Sequence, residues 1–378
     1  MGKSRHQQAN CQGRQQCILD RFVQHSKSPR NPWTSLTSGD HLLKSNQAQE
    51  AGIQQSDGNP PRAFDRRAIP AGAAERIWRA ADGHPIRLID WSAPAGEGAA
   101  RGHILFLPGR GDAYEKYLET FEHWRRQGWQ VSAADWRGQA GSGRLGADAV
   151  TGHIDDFGIW IADLAALWRD WAAGKSGPLV LAGHSMGGHL VLRAAADGAL
   201  SPAPAALILS APMLDVAPYW APLWLKGALA GIMARAGDPR RPAWKWSEKP
   251  GELPQGRGAL LTHDPARYAD EAWWREARGE LVMGPGSWGW VAAASRSMRH
   301  LAQAGKLEKV TLPVMLLSTR GDRLVSPSAI RRAAARLPKV SFLEFGTEAA
   351  HEILREADPV RNKALAAIDA FLEGLVTA

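Results

Sequence analysis

The chain changes character near residue 62. Before that point Gln, Ser, Asn, Lys and Arg dominate and the apolar residues follow no period. After about residue 74, apolar runs and amphipathic stretches alternate. Residues 1–62 therefore read as a disordered extension, with too little apolar surface to offset the entropy of ordering them. Further on, "ERIWRAADGHPIRLIDW" reads as two short strands joined at Asp82-Gly83, a hairpin signal. "GHILFLPG" and "WQVSAADW" are apolar strands. Between them Tyr117, Phe121 and Trp124 recur at helical spacing, in a helix that ends at Gly128. An amphipathic helix is expected over 154–172, carrying Phe157, Ile161, Leu164 and Trp168. It is followed by a strand at 178–184, a helix at 186–198 and a strand at 205–211. Much later come the strand "LPVMLLST", a helix over 327–336, the strand "VSFLEF" and a final helix over 358–375. Strands alternating with helices predict an α/β fold with a mostly parallel sheet covered on both faces. Residues 213–306, rich in Pro and Trp, interrupt the alternation and read as an insertion. The expected organisation is an extension at 1–62, a core built from 63–212 and 307–378, and the insertion at 213–306.

Composition narrows the function classes. The 378 residues, 44% hydrophobic and 22% charged, suit a soluble globular protein of one large domain or two smaller ones. The net charge of +8 favours anionic surfaces. Lys and Arg are scattered, however, and the longest cluster is a pair such as Arg331-Arg332, so nucleic acid is not an expected partner. Cys11 and Cys17 are the only cysteines, and with His6 they do not make a four-ligand zinc set. The rest of the chain has no thiol for a disulfide framework, which suits a reducing compartment. The N-terminus lacks the apolar core of a signal peptide. No apolar run reaches the roughly 18–20 residues of a membrane span; the nearest, around 216–236, contains Pro218, Pro222 and Lys226. A cytoplasmic protein is expected, with peripheral contact to the inner membrane surface through the insertion. Met1 is the only methionine before Met186. A second reading therefore has part of residues 1–62 outside the natural protein, with translation starting at a non-AUG codon.

The candidate chemistry centres on "VLAGHSMGGHL", residues 180–190. A buried strand turns into a helix at Ser185, flanked by Gly183 and Gly187. G-x-S-x-G in that setting is a nucleophile elbow. Side chains at the two glycines would collide with neighbouring backbone, while the serine oxygen points clear of the sheet and the helix starting at Met186 aims its free N–H groups at the same point. A serine needs a base, which should come late in the chain. His351 fits, in the short loop after "VSFLEF". His184 is adjacent in sequence but should be turned away by the bend. The orienting acid should follow a strand between the two, and "LLSTRGDRLVSP" offers Asp322. Asp215, in "SAPMLD", is the competitor. An oxyanion site needs two backbone donors: the N–H of Met186, and the N–H of Arg110 in "LPGRGDAY", where Gly109 and Gly111 let the backbone approach a substrate.

Residues from about 74 to 376 resemble the α/β-hydrolase superfamily, and within it the bacterial lysophospholipase and monoacylglycerol lipase family. "LPGRGDAYEKY" is similar to the family's oxyanion loop, "ADWRGQAGSGR" to its segment after the next strand and "GHSMGGHL" to its elbow. "LTHDPARY" is similar to a cap segment, "TRGDRLVSP" to the acid loop and "AAHEILRE" to the histidine loop. The family's oxyanion loop usually begins His-Gly; here Pro108-Gly109 keeps the backbone donor and loses a supporting side chain. The resemblance implies an α/β-hydrolase fold, a helical cap over Ser185 made from the insertion, and a serine hydrolase of acyl-glycerol lipids that needs no metal or organic cofactor. In the insertion, "PYWAPLWLKGALAGIMARAG" and Trp244, Trp246, Trp273, Trp274, Trp288 and Trp290 suit an acyl chain or a lipid interface. Most of these tryptophans are expected to pack the cap, while Trp220 and Trp224 are expected to meet the substrate.

The resulting expectation is hydrolysis of a small lipid or ester through an acyl-enzyme on Ser185. Oligomeric state is left open. Two alternatives stand beside it: a general carboxylesterase, thioesterase or C–C bond hydrolase with the same triad, and a catalytically silent binding protein of the same fold. The complete triad speaks against the second.

Overall fold

The computed structural model describes residues 64–94, 100–245 and 256–377. The expected N-terminal extension and Trp246 lie outside the described residues.

The strands are β1 (Ala73–Arg79), β2 (Pro85–Trp91), β3 (Gly102–Leu107), β4 (Trp129–Ala134), β5 (Leu179–His184), β6 (Ala206–Ser210), β7 (Val314–Thr319) and β8 (Val340–Phe345). The helices are α1 (Leu118–Arg126), α2 (Phe157–Ala172), α3 (Met186–Ala196), α4 (Leu223–Arg235), α5 (Gly258–Leu261), α6 (Pro265–Ala277), α7 (Trp288–Ala302), α8 (Pro327–Ala334) and α9 (Asp358–Val376). Every strand read from the apolar pattern is present, within a residue or two at its ends. Two helices begin later than the periodicity suggests. The first opens with a 3-10 turn, Tyr114–Tyr117, before α1. The second starts at Phe157 because Asp156 caps it, its carboxylate accepting from Gly158 N at 2.6 Å.

The strands form one sheet in the order β1-β2-β4-β3-β5-β6-β7-β8. β1 and β2 run antiparallel as the hairpin, and β2 meets β4 antiparallel; from β4 to β8 all pairs are parallel. The strands from β3 to β7 are buried throughout except for the ends of β4 and β5, which explains their unbroken apolar runs. The crossover from β3 to β4 runs one way along the sheet; those through α2, α3 and α8 run the other. Because parallel crossovers are right-handed, α1 covers one face and α2, α3 and α8 the opposite one. The α9 helix lies beside α1, joined by His123 Nε2 to Asp369 Oδ2 at 2.8 Å. Phe106 of β3 meets Tyr117, Phe121 and Trp124 with ring centroids 4.6, 5.3 and 6.3 Å away, so the spaced aromatics do form the buried stripe.

The reversal of direction falls between β3 and β5, which are neighbours. Such a switch point leaves a crevice at the carboxyl ends of the strands, where open α/β sheets bind their ligands. Helices α4 to α7 all lie between β6 and β7 in sequence, within the stretch read as an insertion. Helix α7 packs on α3, where Ser297 Oγ lies 2.6 Å from His189 Nε2 and accepts from Arg193 at 2.8 Å. Helix α4 is different. Ala230 is its one buried residue, and Trp224, Leu225, Leu229 and Ile232 are exposed. Among the described residues no helix is long and apolar enough to cross a membrane.

Candidate active site

Ser185 stands between β5 and α3 with φ 52° and ψ −116°, a left-handed conformation that a serine adopts only when its surroundings impose it. The glycines make room for it. A Cβ on Gly187 would lie 2.3 Å from Leu107 O and 2.4 Å from Pro108 O; one on Gly183 would lie 2.7 Å from the Gly187 carbonyl carbon. The turn is pinned by Ser185 N donating to Ser210 O at 2.9 Å and Met213 N donating to Ser185 O at 3.0 Å. The strain is thus offset by hydrogen bonds into β6 and the loop after it.

The turn presents Ser185 Oγ to His351, whose Nε2 is 2.9 Å away; His351 Nδ1 is 2.6 Å from Asp322 Oδ2. Ionised Asp322 can only accept, so Nδ1 carries the proton and Nε2 is left to accept from the serine hydroxyl. Asp322 Oδ1 accepts from Leu324 N at 2.8 Å and Val325 N at 2.9 Å, which fixes the carboxylate. Burial pushes the Asp322 carboxyl up, but His351 and these two amides outweigh it and its pKa is lowered. Burial pulls the His351 imidazole down; Asp322, with smaller contributions from Glu352 and Asp112, outweighs that, and its pKa is raised above the ordinary value. His184 is buried with its ring centroid 4.7 Å from that of His351. Burial and then His351 push its pKa down to about 4, so it is a neutral neighbour near pH 7. The competitor acid is elsewhere: Asp215 Oδ1 pairs with Lys226 of α4 at 2.7 Å and accepts from Val216 N at 2.8 Å.

The expected oxyanion loop lies against the serine. A Cβ on Gly109 would come within 3.2 Å of Ser185 Cβ. Met186 is the first residue of α3, so its N–H is outside the helical ladder. Backbone and side-chain groups from neighbouring segments hold the Pro108-Gly109 loop. Trp136 Nε1 donates to Pro108 O at 2.8 Å, Gly109 N donates to Asp112 Oδ2 at 3.2 Å, and Gly111 N donates to Gln139 Oε1 at 2.7 Å. Trp136 and Gln139 were not singled out as site residues. Both lie in "ADWRGQAGSGR", and their role depends on that segment passing beneath the loop. The Arg110 side chain reaches outward, donating to Gly284 O at 2.7 Å, with its guanidinium 5.1 Å from the ring centroid of Trp244 and 5.2 Å from that of Trp290.

Parts of the insertion sit on the histidine loop. Glu352 N donates to Leu261 O at 2.7 Å and His351 N to Leu260 O at 3.3 Å. Among the described tryptophans of the insertion, Trp274 and Trp290 are buried, Trp273 and Trp288 are half-buried, and Trp244 is exposed. Trp220 and Trp224, expected to meet the substrate, are 82% and 61% exposed. An open cavity of about 440 Å³ lies beside Trp244, lined also by Asp148, Val150, Thr151, Pro242, Lys245 and Pro285.

The chain is similar to several known proteins. Lysophospholipase L2 of Escherichia coli K12 is 28% identical over 306 residues, covering 77% of this chain and 84% of that protein. A probable lysophospholipase L2 of Haemophilus influenzae is 23% identical over 293 residues, covering 73% and 85%. Among solved structures, a soluble variant of the Saccharomyces cerevisiae monoglyceride lipase in complex with a substrate analog superposes with a TM-score of 0.67 at 19% identity, over 84% of this chain and 100% of that one. At that identity the likeness speaks for the fold, an α/β-hydrolase fold. The profile of the family described as serine aminopeptidase, S33, matches residues 98–358, more than half of the sequence. The chain therefore belongs to this S33 family of α/β-hydrolases.

Proposed function

We propose that the protein is a serine hydrolase of carboxylic esters, acting on acyl-glycerol lipids of the lysophospholipid or monoacylglycerol type. The observation that carries this reading is the continuous hydrogen-bonded chain from Ser185 Oγ through His351 to Asp322, at a strained elbow beside a braced glycine loop. In the proposed reaction Ser185 Oγ attacks the ester carbonyl carbon while His351 Nε2 takes the hydroxyl proton. The Arg110 and Met186 N–H groups hold the resulting oxyanion. Collapse of the tetrahedral intermediate breaks the bond to the leaving alcohol, which receives the proton from His351, and leaves an acyl group on Ser185. Water then gives its proton to His351 and attacks the acyl carbon; collapse returns the proton to Ser185 and frees the acid. Asp322 keeps the imidazole in one tautomer and stabilises its protonated form.

The lipid part of the proposal rests on the insertion and on the names of the relatives. We take residues 213–306 as a cap over a core made of 63–212 and 307–378. The cavity beside Trp244 has the volume of a small-molecule site, and Val150, Pro242, Trp244 and Pro285 give it an apolar side that suits an acyl chain, with Asp148 and Lys245 as charged lining; no residue of the triad lines it. The exposed apolar side of α4, with Trp220 just before it, supports contact with a lipid surface, since patches of this kind on soluble proteins mark interaction sites. Trp220 and Trp224 thus serve the membrane surface that carries the substrate. The proposal includes a cytoplasmic enzyme meeting the inner membrane surface peripherally.

Three outcomes follow. Ser185→Ala and His351→Ala each lower kcat for p-nitrophenyl esters by a factor on the order of 10⁴ or more, because the residues act as one unit. Asp322→Asn is also severe, whereas Asp215→Asn is mild; a larger loss for Asp215→Asn overturns the assignment of the acid. The second outcome concerns pH. The imidazole must be neutral to accept the serine proton, and its pKa is raised. In wild-type enzyme the acid limb of kcat/KM therefore falls above the ordinary histidine value of about 6.5. A limb well below that value contradicts a His351 base paired with Asp322. The third outcome separates lipid from small-ester chemistry. Over monoacylglycerols and lysophospholipids of rising chain length, kcat/KM climbs by up to roughly fourfold per added methylene until the acyl site is full. Trp220→Ala and Trp224→Ala each weaken hydrolysis of vesicle-borne substrate by roughly tenfold and leave p-nitrophenyl butyrate turnover unchanged. An optimum at acetate or butyrate, or equal losses on both substrates, removes the lipid reading. Turnover of aminoacyl p-nitroanilides with esters inert would replace it with a peptidase.

A further inference from the structure

Behind His351 lies a buried cluster of charge that the proposed reaction does not use. Lys116, in the 3-10 turn before α1, is almost fully buried. Its ammonium lies 2.9 Å from Asp112 Oδ1, 2.6 Å from Glu352 Oε1 and 3.0 Å from Glu271 Oε2. The three carboxylates come from three segments far apart in sequence. Asp112 belongs to the oxyanion loop, Glu352 follows His351, and Glu271 is on α6 of the insertion. Each has a second engagement. Asp112 Oδ2 accepts from Gly109 N at 3.2 Å and from the Tyr117 hydroxyl at 2.6 Å. Glu352 accepts from Arg355. Glu271 pairs with Arg275 at 2.7 Å and lies 3.6 Å from both Arg257 and Arg355. Asp112, His184 and Glu352 have donor atoms within 4.8 Å of one another, the spacing of a metal site. The Lys116 ammonium, however, lies against both carboxylates and supplies the positive charge itself.

We propose that Lys116 is a positioning residue for the ester hydrolysis: one buried ammonium ties the oxyanion loop, the histidine loop and the inserted helix α6 together and balances the carboxylates that face His351. A buried ammonium is retained only where paired charges and hydrogen bonds offset its lost hydration, and this one has three partners. The kinetic consequence rests on the ester-hydrolase reading above; the electrostatic one does not. The charged and titratable groups around the imidazole are Asp322 after β7, His184 at the end of β5, Asp112 and Lys116 behind the oxyanion loop, and Glu352 beside it, with Glu271 of α6 and Arg355 beyond. Removing the ammonium leaves Asp112 and Glu352 facing His351 with less opposition, which favours the imidazolium. Neutralising Glu352 does the reverse. A residue that only filled space would produce neither shift.

The test is a titration of wild type, Lys116→Met, Glu352→Gln and the double variant, read twice. One reading is the acid limb of kcat/KM for a p-nitrophenyl ester. The other, made without substrate, is the NMR titration of the His351 ring. Lys116→Met is expected to move both to higher pH by about half a unit or more, Glu352→Gln to lower pH, and the double variant back towards wild type. Shifts of the same sign in both single variants, or no shift in either, overturn the proposal. If Lys116→Met does not fold, Glu352→Gln decides alone: a downward shift supports the coupling and an unmoved His351 removes it. If the wild-type protein hydrolyses no ester, the reaction reading fails, and the ring titration still decides the role of Lys116.

Discussion

A serine at φ 52° is stable only where backbone, with no side chains between, surrounds it. That requirement governs much of the molecule. Gly183 and Gly187 leave Leu107 and Pro108 of the neighbouring strand end in contact with the turn, so β3 must lie directly beside β5 and end level with it. The same adjacency makes β3 to β5 the point where the crossovers reverse, and therefore where a crevice opens. The strain at one residue, the strand order of the sheet and the position of the site are a single constraint seen at three scales.

Parallel strands then do the assembling. Register aligns His184 with Ser210 and Thr319 with Phe345, so the loops after β5, β7 and β8 leave the same edge of the sheet. Ser185, Asp322 and His351 reach one another from those loops although 166 residues separate the first from the last. The loops themselves are held by their own polar groups. Thr319 Oγ1 lies within hydrogen-bonding distance of both Gly346 O and Ala349 O, at 2.7 and 2.6 Å, joining the acid loop to the histidine loop.

Most of this frame was legible in the sequence, for physical reasons. Buried parallel strands have to be continuously apolar, amphipathic helices have to repeat their apolar side, and an elbow has to have glycine on both sides of its serine. Asp322 and Asp215 each follow a strand, and the sequence favours Asp322, which stands at a strand tip just before a helix. The Lys116 cluster was not legible. Asp112, Lys116, Glu271 and Glu352 look like ordinary loop and helix polarity until topology brings them together. The bracing of the Pro108-Gly109 loop by Trp136 and Gln139 was hidden for the same reason. Trp220 and Trp224 show the opposite limit. Helix α4 is apolar on nearly every side, so its sequence has no period to say which face is turned inward, and the structure leaves both tryptophans in the open.

The central claim is that Ser185 is a nucleophile made reactive by His351. Fluorophosphonate labelling followed by peptide mass mapping tests it without reference to any particular substrate. The account predicts one adduct per chain, on Ser185, forming faster as pH rises through the His351 titration and almost absent in His351→Ala. Ester turnover accompanied by an adduct elsewhere, or labelling of Ser185 that is indifferent to His351, would contradict it.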